Sequence, residues 1–520
     1  MNDISSKLFL GIEFGSTRIK AALIDESLSP VASGSYAWEN RFENGLWTYS
    51  LGDIIKGLQG CYASLKADVK EHLGFTLKNV DAIGISAMMH GLMAFDKDWA
   101  LLTPFRTWRN TNTTKAAEEL TSLFDFNIPE RWSIAHLYQS VLDKEDYLFS
   151  LSHLTTLAGY IHYRLSGKNV LGVGEASGMF PVNNGEFDKG MLGELDKKLA
   201  RRDYSWSIYD ILPKILFAGD DAGTLTDEGA MLLDPEGDLK AGAKLCPPEG
   251  DAGTGMVATN SVRARTGNVS AGTSIFAMLV LDEPMKAVHK QIDIVTTPDG
   301  TPVAMVHCNN CCSEIDVWVS MMNEFAGLIG SKLSPDELYT TLYKNAMTGD
   351  NDCGGIYACG LLSGEPAAGA PDGKPLYYRE KDSRFSLANF FKAQLMGTMA
   401  SLKIGMDILF ESENAKAERF TGHGGLFKVE GCASQLLADA LESKVTVMST
   451  AGEGGSWGIA LLAAYSFDSS RMSLADWLDV KVFADADSLE YSPAADGVKG
   501  FKSYIRGYKK ALAAMETICK

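Results

Sequence analysis

Two short stretches, about half the chain apart, carry nearly the same pattern. In Gly11-Ile12-Glu13-Phe14-Gly15-Ser16-Thr17-Arg18-Ile19-Lys20 an apolar run ends in glycine and two hydroxyl residues, and a second apolar run follows. Asn268-Val269-Ser270-Ala271-Gly272-Thr273-Ser274-Ile275-Phe276-Ala277 does the same around Gly272, Thr273 and Ser274. Each reads as a β-hairpin. Each turn offers backbone amides and hydroxyls that suit a phosphate, with Lys20 near the first. A pattern repeated at half the length of a 520-residue chain predicts a duplicated domain with one hairpin per copy. Two such hairpins facing each other across a cleft would hold one polyphosphate from both sides. Taken alone, either copy is also a plain hairpin, the first with an acid, Glu13, at its rim.

A chain of this length has material for two to four domains. The boundary is expected near residues 240–260, at Pro247-Pro248-Glu249-Gly250, giving an N-terminal domain over 1–247 and a C-terminal domain over 248–520. Directly after it comes Gly250-Asp251-Ala252-Gly253-Thr254-Gly255. Backbone without side chains lets a ligand come close while the single carboxylate, Asp251, stays exposed. Glycines at this density are poor helix or strand material, so the stretch reads as a tight turn.

Before the boundary, Asp81 to Ser86 is a short apolar strand running into Met88-Met89-His90-Gly91. A histidine ending a buried strand is placed to face a cleft, although a lone histidine is also an ordinary structural residue. Phe105-Arg106-Thr107-Trp108-Arg109-Asn110-Thr111-Asn112-Thr113 crowds amides, hydroxyls, guanidinium and indole together. Forked polar groups on vicinal hydroxyls, with an aromatic face over the C–H side, suit a sugar. The same segment also reads as a capped helix start before Lys115. Glu175 to Met179 reads as a loop, and Leu212 to Leu233 as a surface connection.

After the boundary, Phe390 to Phe410 reads as a long internal helix. Phe420-Thr421-Gly422-His423-Gly424-Gly425 leads toward a helix over Ala433 to Glu442, an arrangement that admits a flat ring or a phosphate to the backbone. Gly452 to Ser456 reads as a glycine turn, with Ser456 capping a helix from Trp457 to Tyr465. Neither run is a P-loop or a Rossmann fingerprint. Cys308-Asn309-Asn310-Cys311-Cys312 holds a C-x-x-C beside His307. The next pair, Cys353 and Cys359, is spaced wrongly for structural zinc, so buried thiols are expected.

A net charge of -18 argues against a surface for duplex nucleic acid. No apolar run is long enough to span a membrane, and no basic leader precedes an apolar run. Nine scattered cysteines fit a reducing cytoplasm.

In this order, the segments resemble the FGGY family of carbohydrate kinases, nearest its xylulokinase-like and other ketose-kinase branches. The carriers are Gly11 to Thr17, Gly84 to Gly91, Trp108-Arg109-Asn110, Gly250 to Gly255, Gly272-Thr273-Ser274, Gly364-Glu365-Pro366, Gly422 to Gly425 and Glu453 to Leu461. The resemblance implies an α/β fold of two duplicated actin/hexokinase-like (ribonuclease H-like) domains hinged around a catalytic cleft. It implies ATP and Mg2+ as cofactors and a sugar substrate, with homodimers common in the family. Asp251 would be the general base toward the sugar hydroxyl, and Met89, His90, Trp108 and Asn110 would line the sugar pocket. Gly15, Ser16, Thr17, Gly272, Thr273 and Ser274 would hold ATP phosphates, with Gly424 and Gly425 against the adenosine. Glu13 stands where the family usually has aspartate and would reach magnesium through water. The pocket run Trp108-Arg109-Asn110 departs from the family's usual Trp-Asn-Asp, so the sugar is not copied from xylulokinase. A pentulose leads, ahead of a heptulose, a deoxyhexulose or a polyol, and ahead of a non-kinase ATPase of the same fold.

Overall fold

The computed structural model describes residues 7–448 and 454–519. The chain forms two compact units. The first takes residues 1–262, 294–303 and 453–485, and the second takes 263–293, 304–452 and 486–520.

The first unit is built on a sheet in the order Lys244–Leu245, Ala82–Ala87, Phe9–Phe14, Arg18–Ile24, Pro30–Ala37, with Glu249–Gly250 also pairing with Ala82–Ala87. The predicted hairpin is present: Phe9–Phe14 pairs antiparallel with Arg18–Ile24, Glu13 opposite Lys20. The Gly15 amide closes its turn on the Arg18 carbonyl at 3.1 Å. On its other edge Phe9–Phe14 pairs parallel with Ala82–Ala87, Glu13 opposite Ser86. Every residue of Ala82–Ala87 is buried, as befits an uninterrupted apolar strand covered on both faces. The cover on one face is the helix Gly454–Tyr465, apolar all round and buried from Gly455 onward. It lies so close that a Cβ at Gly11 would stand 2.1 Å from the Ser456 carbonyl. The helix Leu51–Asp68, capped by the Ser50 hydroxyl on the Asp53 amide, packs on Pro30–Ala37.

The second unit repeats the scheme. Its sheet runs Pro302–Cys308, Ile275–Val280, Thr266–Ala271, Arg419–His423, Lys444–Met448, Ser488–Tyr491. Thr266–Ala271 pairs antiparallel with Ile275–Val280 and parallel with Arg419–His423, as Phe9–Phe14 does with its two neighbours. The Gly272 amide closes the turn on the Ser274 carbonyl at 2.9 Å. The expected internal helix is Leu387–Asp407, and most of its residues are buried.

Several local expectations are corrected. Gly250 to Gly255 is not a turn: Asp251–Ala258 is a helix, with Gly250 as its N-cap. This helix meets Gly454–Tyr465 at backbone contact, where Gly458 must lack a side chain because a Cβ on it would lie 2.1 Å from the Thr254 carbonyl. Glycine in a helix costs about 1 kcal/mol, and the approach it permits offsets that. Glu175 lies in a short helix, Val173–Ser177, rather than a loop. Leu212 to Leu233 holds a strand, Lys214–Leu216, and a helix, Asp227–Leu233, capped by Thr226. Ser456 lies inside the helix that it was expected to cap. Gly452 and Glu453 lie outside the described residues, as does the stretch before Lys7. The cysteines are free thiols, and the described residues hold no group of three His, Cys, Asp or Glu fit for a metal ion. No described helix is long and apolar enough to cross a membrane.

Candidate active site

Asp251 owes its place to the strand before it. Glu249–Gly250 pairs parallel with Ala82–Ala87, Gly250 opposite Ala87, so the chain emerges beside Met88 and Met89. Asp251 then opens its helix, and its Oδ1 accepts the Met89 amide at 3.3 Å. Asp251 is exposed to water, yet protein atoms crowd around its carboxyl. That crowding pushes its pKa up to about 6, against the amides of Met89, Ala252 and Asp251 itself, which favour the charged form.

Met89 and His90 turn away from the strand through strained backbone. His90 has φ 70 and Gly91 φ 80, the left-handed region. The turn is held by what it touches. His90 Nδ1 is 3.0 Å from the Gly178 carbonyl, and its ring stacks on Trp132 with centroids 6.1 Å apart. Gly178 must lack a side chain, because a Cβ there would lie 2.6 Å from Met89 Cε and 2.7 Å from His90 Nδ1.

Trp108 is half-buried, and its indole N–H donates to the Ser16 hydroxyl at 3.2 Å, tying this segment to the Gly15 hairpin. Asn110 is spoken for by backbone: its Nδ2 donates to the carbonyls of Trp47 and Thr107, and its Oδ1 accepts the Trp47 amide. Its amide therefore fixes the Thr107–Asn110 turn. The exposed polar group beside it is Arg109, whose guanidinium stacks 3.8 Å over the Trp47 ring. Around the hairpin tip, the Trp38 indole donates to the Gly15 carbonyl and the Tyr49 hydroxyl to the Ser16 carbonyl, while Thr17 stays exposed.

Glu13 faces the same helix pair. Its carboxyl is lifted to about 7, first by burial and then by the charge of Asp251; Lys20 and the Ser456 amide pull the other way. A Cβ on Gly455 would sit 2.3 Å from Glu13 Oε1 and 2.8 Å from Thr254 Oγ1. Thr254 Oγ1 also lies 3.1 Å from Ser86 Oγ.

In the second unit, Gly272 and Thr273 are exposed at the hairpin tip and Ser274 is half-buried. Gly424, at φ 102, lies against the base of that hairpin; a Cβ on it would be 2.2 Å from the Ala271 carbonyl. Gly424 and Gly425 are exposed beside it. The fold thus gathers Glu13, Met89, His90 and Asp251 in the first unit, with Ser16 and Trp108 joined beside the hairpin. It gathers Gly272 to Ser274 with Gly424 and Gly425 in the second.

The FGGY family of carbohydrate kinases matches this chain twice, its N-terminal domain over residues 8–235 and its C-terminal domain over 267–467. The chain belongs to the FGGY family. This carbohydrate kinase is 22% identical over 525 residues to the xylulose kinase of Haemophilus influenzae, covering 98% of this chain and 100% of the relative. In fold it is similar to the ligand-bound xylulose kinase of Lactobacillus acidophilus, with a TM-score of 0.79, 17% identity and coverage of 99% and 100%. The glycerol kinase of Plasmodium falciparum with ADP gives a TM-score of 0.78 at 15% identity, covering 98% of each chain.

Two buried acids of this FGGY kinase escaped the sequence reading. Glu249 accepts the amides of Glu175 at 2.9 Å and Gly174 at 3.3 Å, and burial lifts its pKa to about 8. Glu175 is wholly buried, and burial holds its carboxyl well above the ordinary range. A Cβ on Gly250 would meet Met89 Cγ at 2.3 Å and Glu175 Oε2 at 2.5 Å, so Glu175 underlies the start of the Asp251–Ala258 helix. Nothing local marks it in the sequence. The clue to Glu249 is its place two residues before Asp251, on a strand whose alternate residue points into the unit.

Proposed function

We propose that this carbohydrate kinase transfers the γ-phosphoryl group of ATP to a hydroxyl of a pentulose, with Asp251 as general base. The observation that carries the reading is the Asp251 carboxylate, open to water and held by the Met89 amide. A carboxylate with a pKa near 6 is mostly ionised at neutral pH and more basic than an ordinary aspartate. As the alcohol oxygen bonds to the γ-phosphorus and the bond to ADP breaks, the hydroxyl proton passes to Asp251. Positioning does most of the work in such a transfer. Met89 and His90 would bound the sugar, with Trp108 covering one side, and the amides of Gly15 to Thr17 and Gly272 to Ser274 would meet phosphate oxygens. Gly424 and Gly425 would leave room for the adenosine.

Magnesium fits the donor set. The charge of Asp251 helps lift the Glu13 carboxyl, and a divalent cation beside Glu13 would relieve that cost. Magnesium ordinarily takes one or two carboxylates and keeps several waters, so Glu13 would hold it through water, and Asp251 keeps its oxygens for the sugar proton. Bound there, it would neutralise charge on the phosphates.

The pentulose assignment is supported by the xylulose kinases among the relatives and the solved structures. Its test is ADP release from ATP with a panel of pentuloses, a heptulose, gluconate, glycerol and no acceptor. The reading expects the highest kcat/KM for a pentulose. A higher value for gluconate or glycerol would reject the pentulose, and ATP turnover indifferent to every acceptor would reject sugar phosphorylation by this site.

A further inference from the structure

The start of the helix Cys312–Leu328, with Cys311 as its N-cap, carries a pair of thiols that the kinase chemistry does not use. Cys311 Sγ and Cys312 Sγ lie 3.6 Å apart. A disulfide would need about 2.05 Å. One trivalent arsenic bound to both sulfurs, with bonds of about 2.3 Å and the angle of about 100° of a pyramidal centre, separates them by roughly 3.5 Å. The pair is thus already spread to the bite of a single bridging atom.

We propose that Cys311 and Cys312 form a dithiol site for a soft trivalent centre, namely arsenic(III) as its oxide or an organoarsenical. Three features make this pair a site. The chain entering the helix is clamped: the amides of Asn309 and Asn310 both donate to the buried Glu365 carboxylate at 3.1 Å, and the Cys312 amide donates to the Gly272 carbonyl at 3.0 Å. A held geometry loses little freedom on capture. The pair is reachable, because Cys312 is half-buried while Cys311 lies behind it, beside a small cavity shared with Gln394, Gly397 and Thr398. The number of ligands is two. A zinc ion needs four, and among the described residues no third His, Cys, Asp or Glu completes a metal group here. An organoarsenical already has carbon on its third position and needs only two sulfurs.

The step balances without an oxidant. With phenylarsine oxide, two S–H bonds and the arsenic–oxygen linkage break, two arsenic–sulfur bonds form, and the oxygen leaves as water with both thiol protons. Arsenic stays trivalent throughout.

The test uses the full chain and phenylarsine oxide. Intact-mass spectrometry reads the adduct, and peptide mapping after alkylation reads which thiols are protected. The expected result is one phenylarsenic per chain with Cys311 and Cys312 both protected, released by a dithiol but not by an equal thiol concentration of a monothiol. Cys312→Ser and Cys311→Ser are made separately, each checked by thermal melting. Either folded variant should bind the arsenical about a hundredfold more weakly or worse, because the second bond becomes unavailable. Cys519→Ser, a change at the other half-buried cysteine, should leave binding intact. An undiminished adduct in the folded Cys312→Ser chain, or protection mapped to other cysteines, would overturn the site.

Discussion

Gly455 and Glu13 make a coupled pair whose energetics can be worked from the geometry. A Cβ on residue 455 would lie 2.3 Å from Glu13 Oε1 and 2.8 Å from Thr254 Oγ1, where real Cβ contacts below 3.0 Å are essentially unknown. In Gly455→Ala the Glu13 carboxylate must therefore withdraw by about 0.7 Å or more. It cannot swing freely, since Thr254 and Gly455 are buried on two helices that pack against each other here. Overpacking of this kind costs about 1–3 kcal/mol, against about 1 kcal/mol gained from alanine's helix preference. Glu13→Asp draws the carboxylate back by one carbon–carbon bond, about 1.5 Å, and alone costs about 1 kcal/mol for the lost methylene. The double variant has room for both changes. It should be more stable than the sum of the single effects by about 1–2 kcal/mol, and should recover much of the turnover that Gly455→Ala loses. The assay is a double-mutant cycle by urea denaturation, with acceptor-dependent ADP release on the same proteins. Additivity within about 0.5 kcal/mol, with no recovery of turnover, would refute the claim that Gly455 exists to admit the longer acid.

Other outcomes follow from the same packing and charge. Gly178→Ala drives a Cβ toward Met89 Cε and His90 Nδ1, at 2.6 and 2.7 Å; KM for the sugar should rise several-fold while KM for ATP stays, as steady-state kinetics will read. Asp251 is raised to about 6, and the base must be ionised, so kcat/KM should fall as pH drops below about 6; a flat profile down to pH 5 would remove it as the base. Glu249 has a folded-state pKa near 8 against an ordinary 4.5, so the folded chain holds its proton longer than the unfolded chain does. Its contribution is complete below about 4.5 and is lost as pH rises toward 8, up to about 5 kcal/mol at about 1.4 per pKa unit. Glu249→Gln should flatten that decline in denaturation measured across pH; an unchanged slope would show Glu249 ionised throughout.

The parts of the fold legible in the sequence were those set by local pattern. The two hairpins follow from glycine and hydroxyl residues between apolar runs, and Ala82–Ala87 from its unbroken apolar character. What sequence pattern hid is non-local. Asp251–Ala258 is a helix because Gly458, some 200 residues later, lets another helix touch its backbone; local propensity argued for a turn. No local pattern marks Gly454–Tyr465 as the cover of the sheet in the first unit. Glycine and a strand end drew attention to His90 and Asp251, the family resemblance added Met89, and the fold brings the Met89 amide onto the Asp251 carboxylate. Asn110 read as a ligand-facing amide by residue type, but the backbone of Trp47 takes up its hydrogen bonds. Glu175 was hidden in turn: a single acid among glycines and small residues reads as a solvated loop until the fold buries it.

Asp251→Asn bears most directly on the role assigned to that residue. The amide keeps the size and the contact to the Met89 amide but cannot take up the sugar proton. Acceptor-dependent ADP release should fall by several orders of magnitude while ATP binding, followed by calorimetry, stays within a few-fold of the parent chain. Turnover near that of the parent chain, or ATP binding lost in step with turnover, would contradict it.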